Sequence, residues 1–447
     1  MKLSRYICLT AIVMAVIVSS CHKSEMVTIS KPVISAGQGI TSDTLGGSIK
    51  GTLLAGKTYY FKTDIIINAG DTLLMQDGVN LIALGDGSTY AKSPQITVNG
   101  TFISLGSEFS QNYISVLPSM RTRDNAFKGL WGGIQASATS GDVIIKWTHI
   151  GYVGGPAGPA NDPAVYTAGA ARFSISFSNI NANFILEDSW VSFSKDDNVR
   201  VGSGKISIMR STFEMNGESG GEAINCKSGT VGDIAYNLII GAATNGLKIS
   251  NSGGTTVQCN VNAYNNTILN SGFRQVQSGR GGSINYEKGA KGKSYNNLIV
   301  NCRFGIRITS DADVPNTLYD NQYYYASANN LLTQFYPSTG IAVAKPGDIK
   351  SATPSDKNPL FASYNTDAFN YATATIPMGI AAQPDYLVFV GNADFRLNPG
   401  SPALNKGKTD FQPLKAVTIT GGIYGADITL PGKDIGAFQD DGSGNRH

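Results

Sequence analysis

Residues 234 to 250 read "IAYNLIIGAATNGLKIS". Two short apolar runs are separated by Gly241-Ala242-Ala243-Thr244-Asn245, and neither is long enough for a helix. The first run carries the triplet Asn237-Leu238-Ile239, a polar residue, an arbitrary one and an apolar one. The same triplet recurs as Thr148-His149-Ile150, Ser189-Trp190-Val191, Ser211-Thr212-Phe213, Asn266-Thr267-Ile268 and Asn297-Leu298-Ile299. After a first interval of about 41 residues, the repeats follow at about 22, 26, 29 and 31 residues, roughly one supersecondary unit each. The long interval contains the insertion "VGGPAGPANDPAVYTAGAA", residues 153 to 171.

A unit this short cannot bury an apolar face alone, but a stack of units buries a continuous column. The triplet then has a simple reading. Its first side chain bonds the same position in the adjacent coils, its third faces inward, and its second faces outward, where chemistry is unconstrained. A second set of strands follows each triplet: "NVRVGS", "AINCKS", "GLKISN", "RQVQSG" and "GIRITS". Alternation turns Val199, Val201, Ile224, Cys226, Leu247, Ile249, Ile306 and Ile308 inward. It sets Arg200, Asn225, Lys248, Gln275 and Arg307 outward in one column, a candidate binding face.

From about residue 50 onward these coils resemble those of pectate-lyase-like proteins. The resemblance implies an all-β, right-handed parallel β-helix, a single-stranded solenoid; the handedness agrees with the chirality of parallel crossovers. "LWGGIQASA" at 130 to 138 and the tail elements "NPLFASY", "DFRLNPGSPALNKGK" and "DIGAFQ" are similar to features of exported bacterial β-helix proteins, in which the last three close the C-terminal end. The expected organisation is a leader over 1–20, a flexible tether over 21–45, the β-helix over 46–325, and irregular loops with closing coils over 326–447.

Composition agrees with this class. The chain has 447 residues, 41% hydrophobic and 15% charged, with 52 glycines against 17 prolines, as many short strands and tight turns require. A net charge of +3 without a basic run gives no support to nucleic acid as a partner. Lys2 and Arg5 precede the uncharged, mostly apolar run Tyr6 to Val18, which reads as an export signal rather than a membrane span. The run ends "VSSC", which resembles the lipobox of Gram-negative lipoproteins. That resemblance implies cleavage before Cys21, lipidation of its sulfur, and a chain held at the outer membrane or cell surface by a lipid anchor alone. A plain secretory peptide cut after Ser20 is the other reading. Cys226, Cys259 and Cys302 then remain, an odd number without metal-ligand spacing, read as buried thiols.

The chemistry-bearing stretch is "FSKDDNVRVGSG", residues 193 to 204. Its Asp196-Asp197 pair resembles the paired aspartates that precede a strand in polygalacturonases, glycoside hydrolases of this fold. The resemblance covers about ten residues and carries a catalytic role onto Asp196 and Asp197 only. Where that family has a Gly-His-Gly segment this chain has Gly221-Glu222, and its Arg-x-Lys meets Arg307-Ile308-Thr309. Glu222 is the candidate third carboxylate, because glycoside hydrolysis needs an acid and a base on either side of the scissile bond. The plain alternative is a turn edge, where Asp bonds its own backbone. His149 lies in the arbitrary position, and Trp190 or Tyr323-Tyr324-Tyr325 would offer stacking surfaces if exposed. No cofactor is expected, and no acidic cluster has Ca²⁺ spacing.

Three readings of function follow: a non-catalytic, monomeric lipoprotein that handles polysaccharide, an acidic one if the column's cations are free; a polysaccharide lyase or glycoside hydrolase on the same column; or a structural or adhesive surface protein.

Overall fold

A computed structural model describes residues 36–379 and 392–446, and within them the chain winds as a parallel β-helix with three strands per coil. One coil shows the plan. Gly204–Met209 belongs to a first sheet of eleven strands, Thr212–Glu214 to a second sheet and Ile224–Cys226 to a third. The long strand Thr58–Ile67 serves both later sheets, pairing Tyr59 with Leu81 of the second and Ile66 with Thr97 of the third.

The corner between first and second sheets is a single residue with positive φ: Asp188 (48°), Arg210 (50°), Tyr236 (59°), Asn265 (51°) and Asn296 (59°) in successive coils. One left-handed residue turns the chain without a loop, and Asn accepts that conformation at least cost among the non-glycine residues. The polar residue of the triplet comes next and does what its chemistry predicts. Ser189 N–H donates to Ser211 Oγ (3.2 Å), Ser211 N–H to Asn237 Oδ1 (3.0 Å), Asn237 N–H to Asn266 Oδ1 (3.1 Å) and Asn266 N–H to Asn297 Oδ1 (3.0 Å). The triplets are in register throughout: His149, Trp190, Thr212, Leu238, Thr267 and Leu298 are successive partners. Ile150, Val191, Phe213, Ile239, Ile268 and Ile299 are buried in the central core.

The second position faces outward from the coil yet not into solvent. Leu238, Leu298 and Tyr323 pack with Phe361, Phe395, Ile435 and Phe438 in a second apolar cluster on the outer face of the second sheet. The expected stacking surfaces are therefore core: Trp190 is 7% exposed, and Tyr323, Tyr324 and Tyr325 are buried. His149 is likewise buried, between the rings of Tyr113 (4.5 Å) and Trp190 (5.6 Å).

The C-terminal segment builds this cover, and it differs from the expected end closure. It runs along the flank of the coils as a strap. Lys408 N–H donates to Asn296 Oδ1 (2.7 Å), Leu414 N–H to Asp233 Oδ1 (2.9 Å), Thr418 N–H to Asn183 Oδ1 (2.8 Å) and Asp427 N–H to Glu187 Oε1 (2.9 Å). The chain then returns, with Ala437 N–H on Thr267 Oγ1 (2.8 Å) and Asn445 Nδ2 on Ser211 O (3.2 Å). The apolar second positions explain the difference, since a row of Leu and Tyr on an outer face needs a cover.

The coils also extend beyond their expected limits. Gly39–Ile40 pairs with Gly51–Leu53, so the residues from Gly39 belong to the coil rather than to a tether, and Ile349–Lys350 adds a strand after Tyr323–Tyr325. Cys21 and the expected export signal lie outside the described residues. Cys226, Cys259 and Cys302 are buried free thiols.

Candidate functional site: the outer face of the third sheet

Most strands of the third sheet are three residues long, and each meets the core with two inward residues. Val199 and Val201, Ile224 and Cys226, and Leu247 and Ile249 fill that role, all buried. The residue between them must point outward. Register then fixes one continuous column: Thr97, Gln135, Ser176, Arg200, Asn225, Lys248, Asn285 and Arg307. Neighbours stand one strand spacing apart, about 4.8 Å.

Four of the five expected members are present. Gln275 is not, because "RQVQSG" is a loop in which Gln275 Nε2 donates to Thr244 Oγ1 (2.9 Å). The strand there is Gly282–Glu287, with Ile284 and Tyr286 inward and Asn285 in the column. Two apolar-alternating runs compete in that coil. The one with the bulky aromatic pairs with the preceding strand.

The column's cations do not form an open basic stripe. Arg200 Nη1 lies 3.2 Å from Asp197 Oδ2; Lys248 Nζ lies 3.5 Å from both Glu222 and Glu287; Arg307 Nη2 lies 3.8 Å from Glu287. Sequence reasoning missed Glu287 because it follows the mislocated strand. Carboxylates and cations thus alternate along the face, and a polyanion would meet both signs.

Asp197 sits at the centre. It is 1% exposed, and both its oxygens are engaged: Oδ1 accepts from Glu222 N–H (2.7 Å), and Oδ2 accepts from Asn225 Nδ2 (2.9 Å) and Arg200. Glu222 accepts from the same Asn225 Nδ2 (3.0 Å). Asp196 is half-buried beside them, its Oδ1 taking the N–H of Asp197 (2.9 Å). Gly221, at φ 115°, comes so close that a Cβ would stand 2.8 Å from the Asp196 carbonyl carbon. The structure thus brings Asp196, Asp197 and Glu222 together across two coils. Asn225 Oδ1, buried among them, has no hydrogen-bond partner.

Burial dominates the titration of this cluster. It pushes Asp196 up to about 8, with the charges of Asp197 and Glu222 adding to the effect. Glu222 rises to about 7 through burial and Asp197, against the pull of Lys248. Lys227, one residue beyond the strand, falls to about 8 through burial and the nearby charges of Arg200 and Lys248. For Glu287, burial is outweighed by Lys248 and by hydrogen bonds from Asn285 and Ser250, and its carboxyl is held below the usual range. Near neutrality the face therefore holds both proton donors and a lysine close to losing its charge. Lys227 was not singled out in the sequence, since nothing local marks a lysine as crowded by two other cations.

At the other end of the column the insertion forms a wall. Ala157, Tyr166 and Phe173 make a small core of their own, and Tyr166 OH donates to Gln135 Oε1 (2.6 Å). Arg200 extends over the Phe173 ring at 5.2 Å, so wall and charged column are contiguous. Among the described residues, no group of three or more His, Cys, Asp or Glu is arranged to hold a metal ion.

No family model matches the chain, and no curated protein matches it. Among solved structures it is similar to the crystal structure of pectate lyase Pel9A, at 12% identity over 83% of this chain and 88% of that one, with a TM-score of 0.32.

Proposed function

We propose that this protein binds polysaccharide along the outer face of the third sheet, held at the envelope by a lipid on Cys21. One observation carries the reading: an in-register column of eight polar side chains runs from Thr97 to Arg307 and is walled on one side by an insertion with its own core. A sugar chain laid along the coils would meet the half-buried Thr97, Arg200, Lys248 and Arg307, while Gln135, Ser176, Asn225 and Asn285 lie buried between them and hold the face in register. Interlocked charges argue against simple attraction of a polyanion, and Asp197, sealed from solvent, is placed as a clasp between coils rather than as a group that reaches a substrate. The test is a glycan array followed by calorimetry with the full-length protein. Arg200→Ala should weaken binding of the polymer found, while loss of affinity for every glycan class would end the reading.

A second reading, a lyase acting by β-elimination, is favoured by Lys227. Its lowered proton affinity suits a base, and Asp196, protonated near neutrality and half-buried, suits the acid that protonates the leaving oxygen. Release of unsaturated products by wild type and its loss in Lys227→Met would select this reading over simple binding.

A further inference from the structure

The charged column ends at Arg200, but the face continues into a cavity of about 240 Å³ between the insertion and the strands that carry Thr97, Gln135 and Ser176. Its size is a little below the ~300 Å³ at which pockets for drug-sized ligands begin, suited to a unit the size of a sugar ring. The cavity is held open by an unusual device. Arg172, 0% exposed, is in no ion pair among the described residues, although the Asp64 carboxylate attracts it from farther off; its Nε donates to Gly155 O (3.0 Å), Nη1 to Gln95 Oε1 (2.6 Å) and Nη2 to Ser93 O (2.6 Å). Asn161 Nδ2 joins the same Gln95 oxygen (2.9 Å), and Tyr166 ties the wall to the floor at Gln135. A buried guanidinium whose direct hydrogen bonds all go to neutral oxygens is costly even with Asp64 nearby, and its three bonds fix the insertion in one place.

The lining is chemically distinct from the ladder beside it. Thr97, Ser176, Ser178 and Asn99 supply neutral polar groups, Val165 supplies an apolar patch, and the one charged residue is Asp162; no lysine or arginine lines the cavity. A carboxylate-bearing sugar would find one like charge in the lining, Asp162, and the cation beside it, Arg200 on the strand next to Ser176, is already engaged by Asp197. An uncharged ring would find hydroxyl partners and an apolar surface for its C–H face.

Resting on the reading that this face binds polysaccharide, we propose that the cavity is a subsite for an uncharged sugar unit, so that the face prefers a neutral sugar over a uronate at this position. Calorimetry tests this with the full-length protein, using neutral gluco-, galacto- and manno-oligosaccharides against oligouronates of equal length. Wild type should bind a neutral series at least tenfold more tightly than oligouronates. Ala138→Trp, placed on an exposed turn at the cavity rim, should lower that binding at least tenfold with an unchanged melting temperature. Ser176→Lys should narrow the preference by gaining uronate affinity. Binding that ignores Ala138→Trp, or a wild-type preference for oligouronates, would overturn the subsite while leaving polysaccharide binding along the column intact. If no glycan of either class binds wild type, the subsite and the underlying reading fall together.

Discussion

Asp197 has a role that its sequence context did not announce. A carboxylate that accepts from a backbone N–H, an amide and a guanidinium at 1% exposure joins two coils by its oxygens. Removing it strands Arg200 and leaves the Glu222 N–H without its acceptor. Asp197→Ala should therefore cost about 3 kcal/mol of stability, measured by urea denaturation. Arg200→Met, at the more exposed end of the pair, should cost less. The neighbouring acids make a separate, pH-linked prediction. Asp196 and Glu222 both have folded values above those of the unfolded chain, so the folded state holds more protons between the two. Their contribution to stability is present in full at low pH and is lost as pH rises through about 7 to 8. The urea midpoint should fall between pH 5 and pH 9, and Glu222→Gln should flatten that fall. A midpoint that stays level over this range in wild type would show that the pair ionises as freely in the folded as in the unfolded chain.

At the scale of elements, the triplet behaves differently at each of its positions. Asn266 Oδ1 accepts the N–H of Asn237 and its Nδ2 donates to Asn297 Oδ1 (2.9 Å), so Asn266→Ala breaks the ladder on both sides and should destabilise by about 2 kcal/mol. Ile268→Asp strands a carboxylate in the core and should cost several kcal/mol. Reading the sequence alone makes the neighbouring Thr267→Asp mild; the structure reverses that expectation. Thr267 is 1% exposed and its hydroxyl accepts from Ala437 N–H under the strap. Thr267→Asp should also destabilise, and it should do so by freeing the strap. Limited proteolysis should then cut the C-terminal segment first, whereas in Ile268→Asp cleavage should spread through the coils. Equal cleavage patterns would mean that the strap and the coils unfold as one unit.

For the whole molecule, the strap makes the solenoid more than a sum of nearest-neighbour coils. Its bonds to Asn183, Glu187, Asp233, Thr267 and Asn296 run along successive coils and join some that do not pair with one another, such as those of Glu187 and Asp233. Truncation after Leu404 should uncover Leu238, Leu298 and Tyr323, giving strong binding of a hydrophobic dye and self-association, both absent from the full chain. At the other terminus, Cys21→Ser should release the protein from the membrane fraction and abolish the mass of the lipid. Unchanged fractionation and mass would remove the anchor.

Periodicity in the sequence determined the coil, the inward residues and the polar ladder, because each depends on neighbours one repeat away. Asn237, Asn266 and Asn297 could be aligned by eye, and the structure pairs them as aligned. The carboxylates at Asp196, Asp197 and Glu222 were also legible as residues. Their environment was not, since burial and the partners that engage them come from adjacent coils and from loops of irregular length. The same irregularity hid Asn285 behind "RQVQSG", where two runs satisfied the alternation and only inter-strand pairing selected one. Tertiary structure alone decided that the outward Leu and Tyr positions would be covered, that the cations would be neutralised in place, and that the insertion would close a cavity. Each of those outcomes joins residues far apart in the chain with no shared period, and a repeat pattern carries no information about such contacts.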